Sequence, residues 1–276
     1  MSYYQSYRSI PFGFIDETGL SFPDKHQPFL GVGLFKVYRT SSITDRLLKE
    51  CYLHYSKIQK RSQERLNEML RERSVINNQI IKTVSGSQSR EYKFEHITKY
   101  TLDSYIELLD ALSLFEWSFD CVMIDKYSQA FDPLIYQNYW KGYLMYTKML
   151  VKSSTKYDKG ITLIADFLNK PKSYSSDFES DIIKIPKVIN AMQADSASMI
   201  YLQIVDLMLG SVSFHSKRMR GVIHDSKRAK AKEIFVDRLL HTIGLHKSTS
   251  NPYPLAYSVR SSKRNRFNVW HVRFEK

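Results

Sequence analysis

The order of apolar and polar positions along the chain predicts strands first and then an alternation of strands and helices. Short apolar or alternating runs predict strands, and apolar residues that recur every three or four positions predict helices. The predicted strands cover residues 10–16, 29–38, 91–97, 119–126, 160–167 and 267–274, with a short strand or an irregular return over 182–188. The predicted helices cover residues 43–81, 102–114, 133–151, 198–214 and 230–240. This order indicates an α/β protein with a mixed sheet and helices on both faces.

Length and polarity indicate one domain with two additions. At roughly 150 residues per domain, the length of the chain allows one large domain or two small ones, and a hydrophobic fraction of 43% is ample for a core. We expect a single domain over residues 1–276. The charged middle of the long predicted helix indicates a solvated helical insertion over 43–85, and residues 214–276 form a basic C-terminal extension.

Charge and composition narrow the classes of partner. The net charge is +13, and residues 214–276 contain fifteen Lys or Arg against four Asp or Glu, an excess of eleven. Such clustering is typical of a protein that binds a phosphate backbone, although surface charge also serves solubility. No apolar run reaches the length of a membrane span, and the N-terminus lacks the layout of a secretory signal. With only Cys51 and Cys121 as cysteines, we expect a cytoplasmic protein that does not enter membranes.

Acidic residues stand at the ends of three predicted core strands. Asp16, Asp125 and Asp166 each occupy the carboxyl end of such a strand, where ligand sites of open α/β sheets lie. Because side chains alternate along a strand, Asp16 shares a face with Phe14 and is the natural group to face a site. Glu17 lies on the opposite side, at the turn.

A fourth acid interrupts the last predicted core helix. In "SMIYLQIVDLMLGSVSF", Gln203 and Asp206 are three positions apart and therefore lie on one side of a helix that is otherwise apolar. A buried Asp is costly unless it meets a cation or hydrogen-bond donors. Either a structural pairing with Lys or Arg or a functional site would account for Asp206.

Converging carboxylates repel each other, and a divalent cation relieves that repulsion. Hard Mg²⁺ or Mn²⁺ prefers carboxylate, water and phosphate oxygens. Two such ions can activate a water and stabilise the leaving oxygen in phosphodiester cleavage. Acids on the first strand, a later strand and a late helix, combined with a basic surface, predict a metal-dependent nuclease of DNA or RNA.

Six short blocks of the sequence, taken in order, resemble those of the domain-of-unknown-function family 3800. The blocks are "GFIDETG", "EYKF", "VMIDKY", "LIADFL", "DSASMIYLQIVDLMLG" and "FNVWHV". The family's opening Asp-Glu-Ser-Gly block is matched by Asp16, Glu17 and Gly19, with Thr18 in place of Ser. Its Gln-x-Ala-Asp block is matched with Val205 in place of Ala. The resemblance implies a ribonuclease H-like fold.

The resemblance also implies a divalent-metal site built from Asp16, a middle-strand acid and Asp206. In a ribonuclease H-like sheet the fourth strand adjoins the first, which favours Asp125 as the middle acid. The "LIAD" block is the better match to the acid-ended strand of the family, which favours Asp166. The candidate metal ligands are Asp16, Asp166 and Asp206. The candidate catalytic residues are Asp16, Glu17, Glu91, Asp125, Asp166 and Asp206.

Two other interpretations of the same residues remain open. An acid followed by Glu-x-Lys is the spacing of restriction-type nucleases, so Asp16 or Asp24 would pair with Glu91 and Lys93. This second interpretation leaves Asp206 unexplained. Alternatively, the chain is a nucleic-acid-binding module that performs no chemistry and whose acids are structural.

Basic residues near these blocks are the candidate nucleic-acid contacts. They are Lys93, Lys126, Lys217, Arg218, Arg220, Lys227 and Arg228. For His215 and His224 a surface role is favoured over proton transfer. The long helix at 43–81 suits a homodimer interface, a partner protein or a clamp on the substrate.

Overall fold

A computed structural model describes residues 10–20, 26–38, 41–71, 91–128, 139–175, 177–261 and 265–272. It contains one mixed seven-stranded sheet with helices on both faces, which confirms the α/β class. The strands are β1 (Phe12–Thr18), β2 (Phe29–Val37), β3 (Trp117–Asp125), β4 (Ile161–Asp166), β5 (Val188–Ala194), β6 (Val259–Ser261) and β7 (Arg266–Val272). The helices are α1 (Ser41–Arg71), α2 (Leu102–Ser113), α3 (Tyr139–Ser154), α4 (Phe178–Ile182), α5 (Ile200–Met219) and α6 (Lys227–Ile243).

The sheet has the strand order β5-β4-β1-β2-β3-β7-β6. β1 is parallel to β4, β4 to β5 and β3 to β7, whereas β2 is antiparallel to both β1 and β3. β6 is antiparallel to β7. The carboxyl ends of β1, β3, β4, β5 and β7 therefore lie along one edge of the sheet.

Each face of the sheet has its own hydrophobic core. On one face, α5 lies across β1 and β2, and α1, α2 and α6 pack around it. On the other face, α3 covers β2 and β3, and α4 packs beside β5. The alternation of side chains along β1 follows this division, because Phe14 belongs to the α5 core and Ile15 to the α3 core.

The first half of α1 belongs to the core, which differs from the solvated insertion expected over 43–85. Leu47, Glu50 and His54 are buried, and the ring of His54 stacks on Tyr92 at 4.2 Å between centroids. Only one side of this half is buried, because Leu48 and Tyr52 on its other side are exposed. Residues 72–85, which include the rest of the predicted insertion, lie outside the described residues.

Residues 91–97 do not form the predicted third strand. The segment is extended at first and then turns through a short 3₁₀ helix, Phe94–His96, packed against α5. Its backbone N–H groups donate to side chains instead of to a neighbouring strand. Tyr92 N–H donates to Gln203, Lys93 N–H to the Tyr105 hydroxyl, and Phe94 N–H to Asp206.

Other sequence predictions are correct in kind but shifted in position. Of the two alternatives for 182–188, the irregular return is correct: residues 183–187 form turns after α4, and β5 begins only at Val188. α5 and α6 each extend beyond their predicted bounds. The surface role favoured for His215 is wrong, because its side chain is fully buried and its Nδ1 accepts a hydrogen bond from Leu255 N–H at 3.4 Å. His224 is exposed. Across the described ranges no helix has the length and apolar content needed to cross a membrane.

Candidate active site

Two neighbouring parallel strands bring Asp16 and Asp166 together. Ile15 on β1 is aligned with Ala165 on β4, so the next residue of each strand is one of the two acids. Parallel neighbours in a sheet are separated by about 4.8 Å. Phe14 and Ile164 both face the α5 core, and by alternation Asp16 and Asp166 face the same side. Asp16 itself is buried.

α5 contributes the third acid, Asp206, from the same face of the sheet. The ring of Tyr201 stacks on Phe14 with centroids 4.6 Å apart, which fixes the start of the helix above β1. The carboxylate of Asp206 accepts a hydrogen bond from Phe94 N–H at 2.6 Å. Thus the acid that interrupts the apolar helix pairs with a backbone donor and not with Lys or Arg in the described contacts.

Gln203, one turn before Asp206, ties two other segments to α5. Its side-chain carbonyl accepts from Tyr92 N–H at 2.9 Å, and its amide donates to Ser196 O at 2.8 Å. Phe94 then lies against Gly210, where an added Cβ would come within 2.4 Å of the Phe94 side chain. Glycine at this position therefore allows the segment 91–94 to approach the helix closely.

Glu91 and Lys93 lie at the border of the acid cluster, which we define as Asp16, Glu17, Asp166 and Asp206. Lys93 Nζ is 3.0 Å from a Glu91 carboxylate oxygen, and the Ser196 hydroxyl donates to that same oxygen at 3.3 Å. The negative charges of Glu91, Asp206 and Asp166 raise the pKa of Lys93 against the opposing effect of its partial burial.

Burial and mutual repulsion disturb the titration of the cluster. Desolvation, followed by the charges of Glu17, Asp206 and Asp166, raises the pKa of Asp16 well above its usual value. Desolvation and the charge of Asp166 raise the pKa of Glu17 to about 7. The pKa of Asp206 rises to about 6, chiefly through desolvation, although the hydrogen bond from Phe94 and the charge of Lys93 oppose the change. Asp16, Glu17 and Asp206 therefore share one poorly solvated region.

Within the cluster, Asp166 and Glu17 differ in their hydrogen bonds. Asp166 Oδ1 accepts from Phe167 N–H at 2.8 Å and from Ser196 N–H at 3.1 Å, so the turn after β5 helps to orient it. In contrast, Glu17 Oε2 is buried and has no hydrogen-bond partner among the described residues. A buried carboxylate oxygen without a donor is costly, and a cation at this position would satisfy it.

The donor chemistry of the cluster fits a hard divalent cation such as Mg²⁺ or Mn²⁺. All four side chains offer carboxylate oxygens, and the raised pKa values of Asp16, Glu17 and Asp206 reflect burial first and the neighbouring negative charges second, both of which a cation offsets. Within the described ranges, no three His, Cys, Asp or Glu side chains form a group that could hold a metal ion. The fit is therefore one of donor type and charge, and not of a closed ligand shell.

Asp125 does not join the cluster. The β3 residue level with Asp16, across β2, is Cys121, so Asp125 lies two strands away and four residues further along. These offsets correspond to roughly 10 Å across the sheet and about 13 Å along it. Asp125 instead forms an ion pair with Arg220 and accepts a hydrogen bond from Tyr127 N–H.

The predicted phosphate contacts are mostly engaged within the protein. Lys126 is buried and donates to Gly19 O at 2.9 Å, and Lys217 donates to the Gln27 side chain at 2.6 Å. Arg218 pairs with Asp225. Only Lys93 is in contact with an acid at the border of the cluster. Lys227 and Arg228 are exposed at the start of α6, where Arg228 donates to the backbone oxygen of Glu95.

Lys232 is a basic residue near the cluster that the sequence patterns did not single out. Its Nζ lies 4.9 Å from the centroid of the Phe94 ring, and Phe94 N–H is bound to Asp206. Desolvation and the neighbouring charge of Arg228 lower the pKa of Lys232 to about 8. Its position on α6, one turn after Arg228, was the only signal in the sequence.

Tyr143 on α3 is a further neighbour that the sequence patterns did not reveal. The burial of this side chain, together with the charges of Glu17, Asp16 and Asp166, raises the pKa of its phenol well above the usual value. The aromatic-rich helix gave no sign that one of its rings would approach the acids.

Comparison of the chain with protein-family models, with curated proteins and with solved structures gave no match in any of the three.

Proposed function

We propose that the protein is a nuclease that hydrolyses phosphodiester bonds with divalent metal ions held by the acid cluster. The single observation that carries this proposal is that Asp16 on β1, Asp166 on β4 and Asp206 on α5 lie on one face of the sheet, with Glu17 directly after Asp16. Structural acids are usually paired with cations or capped by donors. Asp16, Asp166 and Asp206 accept backbone hydrogen bonds, yet three of the four carboxylates have raised pKa values and Glu17 carries a buried oxygen without a partner among the described residues.

The sheet topology supports the ribonuclease H-like part of the proposal and, with it, membership of the domain-of-unknown-function family 3800. In such a sheet the fourth strand adjoins the first. Because residues 91–97 are not a strand, the fourth strand in chain order is β4, and β4 pairs with β1. The same expectation that favoured Asp125 as the middle acid now favours Asp166.

Each acid has a distinct part in the proposed chemistry. Asp16, Asp166 and Asp206 would hold the metal, because they face the same side of the sheet. When bound, Mg²⁺ or Mn²⁺ supplies the charge that activates a water and stabilises the leaving oxygen. Glu17 is the remaining carboxylate of the cluster and would accept a proton from the attacking water.

Three basic side chains beside the cluster are suited to hold the substrate. Lys93 borders Glu91, and Arg228 and Lys232 flank the segment at Phe94 and Glu95. Phosphate contacts of this kind position a nucleic acid without reading its sequence. Their closeness to Asp206 would bring a backbone phosphate to the acids.

Cleavage of labelled nucleic acids tests the proposal. Single- and double-stranded DNA and RNA are incubated with Mg²⁺, Mn²⁺ or EDTA, using the wild type and the variants Asp16→Asn and Asp206→Asn. We expect metal-dependent cutting that falls by about 100-fold or more in both variants, while affinity for the substrate in EDTA stays within about threefold. Tight, salt-sensitive binding without cutting by the wild type would instead identify a binding module with structural acids.

The restriction-type arrangement is a second candidate, because Glu91 and Lys93 form an ion pair at the border of the cluster. In that class the Lys helps to position the attacking water. Asp24, the other acid considered for this arrangement, lies outside the described residues. The variants Lys93→Met and Asp206→Asn separate the two candidates. The restriction-type arrangement predicts that Lys93→Met loses cutting while Asp206→Asn stays active. The acid cluster predicts that Asp206→Asn loses more activity than Lys93→Met.

A further inference from the structure

A second polar site lies on the opposite face of the sheet, away from the acid cluster. β3 and β7 run side by side, so Ser118 is aligned with Arg266, Asp120 with Asn268 and Val122 with Trp270. A cavity of about 460 Å³ opens over this part of the sheet, beside the end of α3. This volume is in the range of small-molecule sites.

The floor of the cavity is a buried carboxylate held by two donors. Asp120 is 6% exposed. The side-chain amide of Asn268 donates to its Oδ1 at 2.6 Å, and a guanidinium nitrogen of Arg266 donates to its Oδ2 at 2.8 Å. These two bonds fix the orientation of all three groups, as in a preformed binding site.

Three polar atoms at the cavity are buried without a hydrogen-bond partner among the described residues. They are Ser154 Oγ, Asn268 Oδ1 and Arg266 Nε. Ser154 is itself 7% exposed. These three atoms are covered by their neighbours, and unmet buried polar atoms are rare, so their grouping beside one cavity is unusual for a purely structural contact.

Two exposed aromatic rings line the mouth of the cavity. Trp270 is 47% exposed and Tyr157 is 79% exposed, so a large part of each ring is open to a ligand. Arg260, which is aligned with Asn268 across β6 and β7, is exposed at the same rim. Aromatic rings, a polar floor and the cationic side chain of Arg260 at the rim together match a planar base that carries a phosphate.

We infer that this cavity binds a nucleoside phosphate: the base stacks on Trp270 and Tyr157, its polar edge faces the floor formed by Asp120 and Asn268, and Arg260 contacts the phosphate. The inference goes beyond the proposed nuclease activity, because it uses none of the acids of the cluster. The shared chemistry fits either a free mononucleotide or an unpaired base of a nucleic acid strand.

Tryptophan fluorescence provides the readout. Trp117 and Trp140 are 2% and 1% exposed, so Trp270 is the tryptophan that a ligand can quench. AMP, GMP, CMP, UMP and a ten-nucleotide homopolymer are titrated in EDTA, with ribose 5-phosphate as the probe that lacks a base. We expect saturable quenching by at least one mononucleotide or by the homopolymer, and none by ribose 5-phosphate. Mononucleotide binding identifies a free ligand, and binding of the homopolymer alone identifies a base within a strand.

Two variants make the inference falsifiable even where one fails to fold. Tyr157→Ala removes an exposed ring and should weaken binding by at least about fivefold. Tyr100→Ala is the matched control, because Tyr100 is also exposed and also has the preceding Lys over its ring. Asn268→Leu should abolish binding. Absence of quenching by every base-containing probe, quenching by ribose 5-phosphate, or wild-type affinity in both Tyr157→Ala and Asn268→Leu would overturn the inference.

Discussion

At the scale of single residues, the acid cluster lowers the stability of the folded protein when its carboxyl groups are ionised. Glu17 and Asp206 ionise at lower pH in the unfolded chain than in the fold, because burial and neighbouring charge raise their folded pKa values to about 7 and about 6. The contribution of these groups to stability is therefore greatest below their unfolded pKa and is lost as the pH rises through the folded values. A functional site commonly carries such a cost.

Replacement of Glu17 by Gln should stabilise the protein at high pH only. At pH 8 the variant lacks a buried charge, so its melting temperature should rise by about 3 °C or more, whereas at pH 4 the carboxyl is protonated in both states and the two proteins should melt alike. The exposed Glu95→Gln serves as the control. An equal gain at both pH values would show that the charge of Glu17 is not the cause.

The lowered pKa of Lys232 gives nucleic-acid binding a pH dependence. Lys232 loses its charge as the pH rises through about 8, so the affinity of the wild type for a labelled strand should fall between pH 7 and pH 9. Lys232→Arg keeps its charge and should remove most of that fall. The affinity at each pH is measured by fluorescence anisotropy of the labelled strand, in EDTA and at constant salt. Lys227→Arg, on the exposed first turn of the same helix, should retain the wild-type profile; identical profiles for all three proteins would exclude Lys232 from the contact.

At the scale of elements, the sequence predicted the acids of the site better than the segment that completes it. Asp16, Asp166 and Asp206 interrupt or end strongly apolar patterns, and such interruptions are visible without a structure. Residues 91–97 were predicted to be a strand, and Tyr92 and Phe94, which alternate with polar residues, are buried. That alternation is real, but the backbone donors of this segment meet side chains of α2 and α5, and periodicity cannot reveal which partner a backbone group will meet.

The mistaken strand also explains why the middle acid was left open. It raised the strand count by one and made residues 119–126 the fourth strand, which favoured Asp125. In the structure, the fourth strand in chain order is β4, and Asp166 is its last residue. The pairing of β4 with β1 depends on contacts between residues far apart in the sequence, which a local pattern does not contain. The positions of Lys232 and Tyr143 near the acids depend on tertiary packing in the same way.

Gln203→Leu should loosen the segment 91–94. The substitution nearly conserves volume but leaves Tyr92 N–H and Ser196 O buried without their partner, at a cost of about 1–3 kcal/mol for each group. Urea unfolding should therefore show a loss of at least about 2 kcal/mol. Gln63→Leu, on an exposed turn of α1, should change stability by less than about 0.5 kcal/mol. A Gln203→Leu protein as stable as the wild type would contradict the proposed tie.

At the scale of the whole molecule, charge is divided between internal pairs and the surface. The net charge of +13 suggested an open basic surface, yet many of the cations in the structure hold elements together. Lys36 on β2 is 1% exposed; it donates to Asp158 at 2.7 Å and to Ser154 O at 2.8 Å, which joins the sheet to the end of α3. The number of basic residues therefore overstates the surface available to nucleic acid.

Replacement of one member of the Lys36–Asp158 pair should destabilise the protein strongly, whereas replacement of both members should destabilise it much less. Lys36→Met leaves a buried, uncompensated carboxylate and should lower the free energy of unfolding by about 3–5 kcal/mol. The double variant Lys36→Met with Asp158→Leu removes both charges and should recover most of that loss. Urea unfolding of the three proteins measures both effects. A double variant no more stable than Lys36→Met would contradict this account of the pair.

The most direct test of the central claim compares two acids that the sequence alone left equivalent. Cleavage rates with Mg²⁺ and Mn²⁺ are measured for Asp166→Asn and Asp125→Asn on the best substrate of the wild type. The account predicts that Asp166→Asn loses about 100-fold or more while Asp125→Asn, outside the acid cluster, stays within about threefold of the wild type. Full activity in Asp166→Asn, or equal losses in both variants, would contradict a catalytic site at the junction of β1, β4 and α5.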